Sequence, residues 1–324
     1  MKIIIAMPKQ TQIGLGLAAI GRPEYINIKK EEIAQSETVF RANAMQVLDD
    51  AYRFGVRYFD VAPSYGKGEQ FLIDWHTLRS YPDVNLSTKW GYTYMANWEL
   101  GYRGKHEIKE HSLSKLQEQW EVSQVLLPEL KIYQVHSATL DSGIFTNTEA
   151  LQELHRIKKK TGMQIGVSTS GANQVEIIEM ALKVQVEGEP LFTSFQVTYN
   201  VFEQSTFKIL NQLLSDNKTV IIKEALANGR VFENKDFPKY SEAYTYFKFL
   251  AKQYNVGIDA VAIRFIIDSL EPQVVLSGAL TSDQLQDNLK ALSFQLTEAE
   301  RHQLQIFASE TESYWAERSA LAWR

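Results

Sequence analysis

The sequence predicts a single α/β domain of the (β/α)8 TIM-barrel type. Three observations carry that expectation. Short apolar runs alternate with amphipathic segments along the whole chain, there are eight such runs, and no Gly/Ser/Pro-rich linker or low-complexity stretch interrupts the 324 residues. Eight parallel strands alternating with helices is the number that closes a barrel, and barrels of this kind reach this length as one unit.

The expected strands are Ile13–Leu17, Val56–Val61, Val84–Thr88, Lys131–His136, Gln164–Ser168, Ser194–Thr198, Thr219–Lys223 and Gln273–Ser277. Several are continuously apolar or β-branched, as strands covered on both faces are. Helical patterns are expected over Glu37–Phe54, Ile108–Val125, Thr148–Lys160, Asn173–Glu187, Asp283–Leu292 and Thr297–Phe307. Gly55, Gly162 and Gly188 stand just past three of them, where a left-handed residue ends a helix. One domain is expected over residues 1–324, with 295–324 as a C-terminal helix and tail. The competing reading is a pair of doubly wound domains. Gly14, Gly16 and Ala19 in IGLGLAAIG fit a dinucleotide-binding turn. That turn must open a helix, and Gly21-Arg22-Pro23 breaks the chain instead.

A net charge of −5 argues against nucleic acid as a partner, since a phosphate-binding face needs clustered cations. The one dense basic run, Lys158–Lys160, ends an expected helix, where cations suit the helix dipole. The chain has no cysteine, which removes disulfides, thiolate catalysis and cysteine-ligated metals, and no metal site is expected. The apolar part of MKIIIAMPKQTQ is too short for a signal peptide, and no later stretch reaches membrane-spanning length. The expected setting is cytoplasmic, with no membrane partner, as a monomer or weak homo-oligomer.

Barrel enzymes carry their chemistry where strands end and the following loops begin. Asp60 closes RYFD, Tyr65 follows in VAPSYGKGE, Lys89 closes NLSTK and His136 closes IYQVH. They come from three successive strands, so a closed barrel brings them to one rim. A phenol alone is a weak acid at neutral pH, and a neighbouring ammonium lowers its pKa. A carboxylate holds that ammonium, and a histidine hydrogen-bonds a substrate oxygen. The set suits protonation of an oxygen that gains negative charge as a hydride arrives. Taken singly, each has a plainer role: a loop cap, a packed aromatic, a paired buried cation or a satisfied core histidine.

FDVAPSYGKGE, STKWG and IYQVHSATLDSG together resemble, in order, the motifs of the aldo-keto reductase family. The resemblance runs from about Ile13 to about Leu292. It implies a hydride transfer between NADP(H) or NAD(H) and a small carbonyl compound or alcohol, whether aldehyde, ketone or aldose. It implies that Tyr65 is the general acid in reduction and base in oxidation. Lys89 would tune it, Asp60 would pair with Lys89, and His136 would position the carbonyl. Ser168 and Gln196 match positions that bind the nicotinamide carboxamide. LSGALTSDQLQDNLKAL resembles the segment that grips phosphate and adenosine, with Ser277, Gly278, Thr281, Gln284 and Asn288 as the matching positions. Three residues depart from the pattern: Thr169 where Asn is common, Lys223 where an aromatic often stacks on the nicotinamide, and Leu280 where an Arg often grips a 2′-phosphate.

The loop WGYTYMANWELGYRGKHE supplies Trp90 and Tyr92 as candidate substrate contacts, and GRPEYIN supplies Tyr25 and Asn27. Long loops after barrel strands build such pockets. The tail, with Trp315 and Trp323, either crosses the opening or packs on the outer helices. Two other functions stand beside the oxidoreductase: a Schiff-base aldolase or lyase using Lys89, and a non-catalytic cofactor-binding subunit.

Overall fold

The computed structural model describes residues 10–24, 36–99 and 101–322. Tyr25, Asn27 and Trp323 lie outside them.

The elements in chain order are β1 (Gln12–Gly16), α1 (Glu37–Arg53), β2 (Tyr58–Asp60), α2 (Gly68–Arg79), β3 (Asn85–Trp90), β4 (Tyr92–Tyr94), β5 (Glu107–Lys109), α3 (Leu113–Ser123) and β6 (Leu130–Ala138). There follow α4 (Thr148–Thr161), β7 (Gln164–Thr169), α5 (Gln174–Lys183), β8 (Gln185–Val186), β9 (Glu189–Pro190), β10 (Phe192–Thr198) and α6 (Phe207–Ser215). The last are β11 (Thr219–Lys223), α7 (Ser241–Tyr254), α8 (Ile258–Leu270), β12 (Val274–Ser277), α9 (Ser282–Leu289), α10 (Glu298–Gln305) and α11 (Thr311–Ala320). Eight strands close a parallel barrel in the order β1-β12-β11-β10-β7-β6-β3-β2, with the helices outside it. Each of the eight coincides with one of the expected apolar runs.

Two expected helices are shorter than the periodicity suggests. Ile108 belongs to β5, which pairs antiparallel with β4. α3 begins only after Ser112, whose hydroxyl accepts a hydrogen bond from Lys115 N at 3.2 Å and so caps it. The expected helix through Glu187 stops at Lys183. Glu187 and Gly188 both take positive φ, at 53° and 77°, and turn β8 back on β9.

Tyr58, Ile132, Ile221, Val274 and Leu276 form a buried cluster of their own within the barrel. Two residues on from Tyr58, Ile132 and Ile221 stand Asp60, Gln134 and Lys223. Side chains alternate along a strand, so these face inward as well, one layer nearer the C-terminal rim. The barrel is thus filled with apolar groups below and polar groups above. The larger core lies between strands and helices and includes Phe59, Trp75, Phe195 and most of α8.

The loop after β1 presses directly on the turn after β2. A Cβ on Gly21 would sit 2.1 Å from Tyr65 O, and one on Gly66 would sit 2.4 Å from Gly21 O. Gly66 also needs φ +61°. Lys67 N donates to Gly21 O at 2.7 Å, which closes the contact. Only glycine at these places lets the two loops touch backbone to backbone. Among the described residues, no helix is long and apolar enough to cross a membrane.

Candidate active site

Asp60 ends β2 inside the barrel, and its carboxylate gathers donors from three further strands. Lys89 Nζ lies 2.5 Å from Oδ2, while Ser87 Oγ, Gln196 Nε2 and Gln134 Nε2 donate to Oδ1 at 2.5, 2.9 and 3.4 Å. Lys89 Nζ also donates to Val61 O at 3.0 Å. The ion pair is almost wholly withdrawn from water, with side-chain exposures of 0% for Lys89 and 3% for Asp60. Removing two charges from water is costly, and these added hydrogen bonds offset that cost.

Tyr65 stands on the turn between β2 and α2, half-buried. The Lys89 ammonium lies 4.9 Å from the centre of its ring, and the Arg22 guanidinium carbon lies 5.2 Å from it. The His136 ring meets it edge-on at 5.5 Å between centres. Burial pushes the phenol pKa well above its usual value, and the Asp60 carboxylate adds to the rise; Arg22 opposes it, and Glu107 and Glu224 reinforce it. The expectation that an ammonium lowers this pKa is therefore not met in this structure: burial outweighs the cations.

His136 sits at a bulge where the β6–β7 register shifts between Val135 and Ala138. Ser137 takes φ +43°, strained for a side-chain-bearing residue. The peptide joining the two is clamped from both ends. His111 Nε2 meets His136 O at 3.0 Å, and Ser137 N donates to Ser168 Oγ at 2.8 Å. Ser64 Oγ lies 3.4 Å from His136 Nδ1. Burial drives the His136 pKa well below its usual value, helped by the Lys89 and Arg22 charges, so the ring is neutral at physiological pH.

Above these groups opens a cleft of about 610 Å³, within the range of small-molecule sites. Asp60, Tyr65 and His136 line it, while Lys89 lies behind them. Of the residues matched to a cofactor role, Ser168, Gln196, Lys223, Ser277, Gly278, Gln284 and Asn288 line it as well. Thr281 does not line it. Its hydroxyl caps α9 by accepting from Gln284 N at 3.3 Å. Ser277 Oγ donates to Asn288 Oδ1 at 2.7 Å, and Asn288 Nδ2 donates to Asp259 Oδ2 at 2.5 Å. Gly278 leaves open space where a side chain would stand. The donor set fits a nicotinamide dinucleotide: amide and hydroxyl groups at the barrel end, and the start of a helix beside an open glycine at the other.

The three departures from the family pattern each have a place. Thr169 is fully buried and donates to Gln174 Oε1 at 3.0 Å, away from the cleft. Lys223 turns its amine to Thr198 Oγ1 and Ser170 Oγ at 2.8 and 3.1 Å. Leu280 lines the cleft, with its N–H held by Gln284 at 2.8 Å. Of the candidate substrate contacts, Tyr92 lines the cleft with its ring 4.8 Å from that of His136. Trp90 does not; it is fully buried in the core against the helices, 5.4 Å from the His111 ring. As an inward-to-outward alternation requires, Lys89 points into the barrel and Trp90 away from it.

Seven charged residues of the cleft escaped the sequence reading: Arg22, Glu107, Glu224, Glu233, Asp259, Asp287 and Arg318. Arg22 is paired with Glu107 at 2.8 Å, and Arg318 with Glu224 at 2.7 Å. Glu224 follows Lys223 at a strand end, which is a usable signal. Arg318 sits on α11, distant in sequence, and nothing local marks it. Of the two alternatives for the tail, Trp315 takes the packed one, buried in the core, while Arg318 of α11 lines the cleft.

Fold and cleft define a (β/α)8-barrel enzyme whose site lies at the C-terminal rim of the strands. The family model for the aldo/keto reductase family matches residues 12–308, and the chain belongs to that family of NAD(P)-linked oxidoreductases. Its sequence is similar to an uncharacterized oxidoreductase of Bacillus subtilis, 23% identical and covering 85% of this chain and 90% of the relative. It is also similar to the NADH-specific methylglyoxal reductase of Escherichia coli, 20% identical over 90% of this chain and 92% of the relative. Among solved structures, the glycerol dehydrogenase of Gluconobacter oxydans superposes with a TM-score of 0.69 at 20% identity, covering 94% and 93% of the two chains. The holo form of an aldo-keto reductase from Bacillus halodurans gives 0.66 at 18%, covering 93% of each.

Proposed function

We propose that this enzyme reduces a small aldehyde or ketone with NADH, and that Tyr65 donates the proton. The convergence of Tyr65, the buried Lys89–Asp60 pair and neutral His136 on the floor of one cleft carries this reading. The bound nicotinamide supplies the hydride. The chain's part is to orient the carbonyl and manage the proton. A neutral His136 holds the carbonyl oxygen without competing as an acid. Tyr65, its pKa raised by burial, keeps its proton until that oxygen gains charge, which suits reduction. Lys89 and Asp60 stand beneath the phenol and fix the field it feels. Ser168 and Gln196 would hold the carboxamide, and Ser277, Gly278, Gln284 and Asn288 the phosphate and adenosine end.

NADH is favoured over NADPH by charge. Among the described residues, the only Lys and Arg lining the cleft are Arg22, Lys223 and Arg318. Arg22 and Arg318 are in ion pairs, and Lys223 is at the barrel mouth. The far end carries Leu280, Asp259 and Asp287 instead, and Lys290 is held by Asp287 at 2.6 Å. A 2′-phosphate would meet carboxylates there. The lyase reading fares worse, because the Lys89 amine is buried under Asp60 and does not face the cleft.

Tyr65→Phe tests the assignment. Turnover of D,L-glyceraldehyde or another accepted aldehyde is expected to fall by about 10²–10⁴-fold, with the fluorescence-determined NADH affinity held within twofold. Retained turnover would overturn the role of Tyr65. Tighter binding of NADPH than of NADH would overturn the cofactor assignment.

A further inference from the structure

Six ionisable residues from six different segments surround the Tyr65 phenol, and three of them, Glu224, Arg22 and Glu107, belong to no role assigned above. From β2 comes Asp60, from β3 Lys89, from β6 His136 and from the loop after β11 Glu224. The loop after β1 adds Arg22, and the β4–β5 hairpin adds Glu107. The last two form an ion pair of their own, Arg22 Nη1 to Glu107 Oε1 at 2.8 Å. Arg22 is nearly sealed from water, with 3% of its side chain exposed, and Glu107 has 21%.

Three features hold the guanidinium where it is. Gly21 and Gly66 press the two loops together, so Arg22 stands over the Tyr65 ring with 5.2 Å from guanidinium carbon to ring centre. Arg22 Nε donates to Ala18 O at 3.0 Å, and Nη1 to Ser64 O at 3.3 Å. These are carbonyls on the loops on either side of the ring, and they fix the cation without neutralising it. Among the described residues, Glu107 is the carboxylate paired with Arg22, and it comes from a hairpin distant in sequence from both loops. In β5 it lies opposite Tyr94, and Lys109 lies opposite Tyr92, so the hairpin face that carries Tyr92 into the cleft also carries Glu107.

We propose that Arg22 is a positioning residue for Tyr65 and that Glu107, on the substrate-side hairpin, adjusts its effect. This rests on the proposed role of Tyr65 as proton donor. An arginine is always charged, so Arg22 stabilises the phenolate at every working pH. Glu107 partly cancels that charge, and its own charge opposes the phenolate. The pair therefore sets how readily the proton leaves, and a shift of the hairpin that lengthened the ion pair would make Tyr65 the stronger acid. Lys89 and Asp60, sealed in the barrel floor, cannot respond to the hairpin in that way.

The two halves of the pair have opposite signs, which a structural role alone would not produce. The measurement is the pH profile of kcat/KM for reduction of D,L-glyceraldehyde by NADH, carried from about pH 6 as far into the alkaline range as the enzyme stays folded. The alkaline fall in that profile marks loss of the Tyr65 proton. Glu107→Gln is expected to move the fall to lower pH by about half a unit or more, and Arg22→Gln to move it higher or out of the window. Arg22→Lys should keep it near the wild-type position. NADH affinity, read by fluorescence, should stay within twofold in all three. Shifts in the same direction, or no shift with turnover retained, would overturn the proposal. Should Arg22→Gln not fold, Glu107→Gln and Arg22→Lys decide alone: a fall unmoved in the first, or moved in the second as far as Glu107→Gln moves it, rejects it. A wild-type alkaline fall that persists in the residual activity of Tyr65→Phe would instead reject the role of Tyr65 itself.

Discussion

Arg318 Nη2 lies 2.7 Å from Glu224 Oε1, so the last helix of the chain is tied to the residue that follows Lys223 at the rim of the barrel. Glu224 is the more buried partner, with 6% of its side chain exposed against 22% for Arg318. It also holds φ +54°, a conformation that needs support from outside the loop. Arg318 and Lys223 together outweigh burial and hold its carboxyl at a pKa of about 2. Arg318→Ala leaves that carboxylate under-compensated and is expected to cost about 1–3 kcal/mol in urea unfolding, less than a fully sealed pair because Arg318 is partly wet. A depressed carboxyl contributes stability above its unfolded pKa and loses it as pH falls toward the folded value. The difference between wild type and variant should therefore shrink between about pH 4.5 and 2. A difference that stays constant over that window would show that Arg318 acts through packing alone.

The Lys89–Asp60 pair is sealed more completely, and its two single removals should behave alike. Lys89→Met strands a buried carboxylate, and Asp60→Leu a buried ammonium. Each is expected to destabilise by about 3–5 kcal/mol, while the double replacement should cost less than the sum of the two. Chemical unfolding of the four proteins makes a double-mutant cycle. Strict additivity would mean that the 2.5 Å contact contributes no coupling.

Lys223 gives the site a pH dependence. Burial lowers its pKa to about 8, against the pull of Glu224. A base whose folded pKa lies below its unfolded value loses its proton first in the folded chain. Its contribution to stability is thus least favourable at neutral pH and improves as pH climbs from about 8 toward 10.5. The charge it carries below pH 8 also attracts an anionic dinucleotide. NADH affinity is expected to weaken severalfold from pH 7 to 9.5 in the wild type and to be flat in Lys223→Met. An equal decline in both would assign the effect to another group.

The strands were the most legible part of the chain, because buried parallel strands read as apolar runs whatever the loops do. Asp60, Lys89 and His136 were legible for the same reason: a polar residue ending such a run points to the rim. Helix limits were less so. Amphipathic periodicity carries on through Ile108 and Glu187, and only the cap at Ser112 and the turn at Glu187-Gly188 show where pairing replaces it. Trp90 illustrates a different limit. It neighbours Lys89 in sequence, and strand alternation sends it to the opposite face. Arg22 was visible only as part of a chain break, since what gives it meaning is the contact of Gly21 with Tyr65 across 44 residues of sequence. Arg318 illustrates the general obstacle. Pairings made by the closing of a barrel leave no periodic trace.

The clamped peptide between His136 and Ser137 leads to the last test. Its carbonyl is met by His111 Nε2 and its N–H by Ser168 Oγ, so two side chains take over from the sheet where the ladder breaks. The carbonyl can only accept, so Nε2 of His111 carries the proton. His111 fits this duty because burial lowers its pKa to about 4, which keeps the ring neutral and its donor fixed over the working range. Its ring also fills the space beside Gly91, where a Cβ would come within 2.1 Å of it. His111→Phe keeps much of that shape and removes the donor. Leaving the His136 carbonyl without it should cost about 1–3 kcal/mol in stability. Because the carbonyl belongs to the residue we propose to orient the substrate, kcat should fall by tenfold or more while NADH affinity holds. Between about pH 6.5 and 4 the unfolded histidine binds protons that the folded one refuses, so acidification destabilises the wild type. His111→Phe should lose that share of the acid sensitivity. Unchanged kcat together with unchanged acid sensitivity would show that the bulge stands without His111, held by Ser168 and the strand alone.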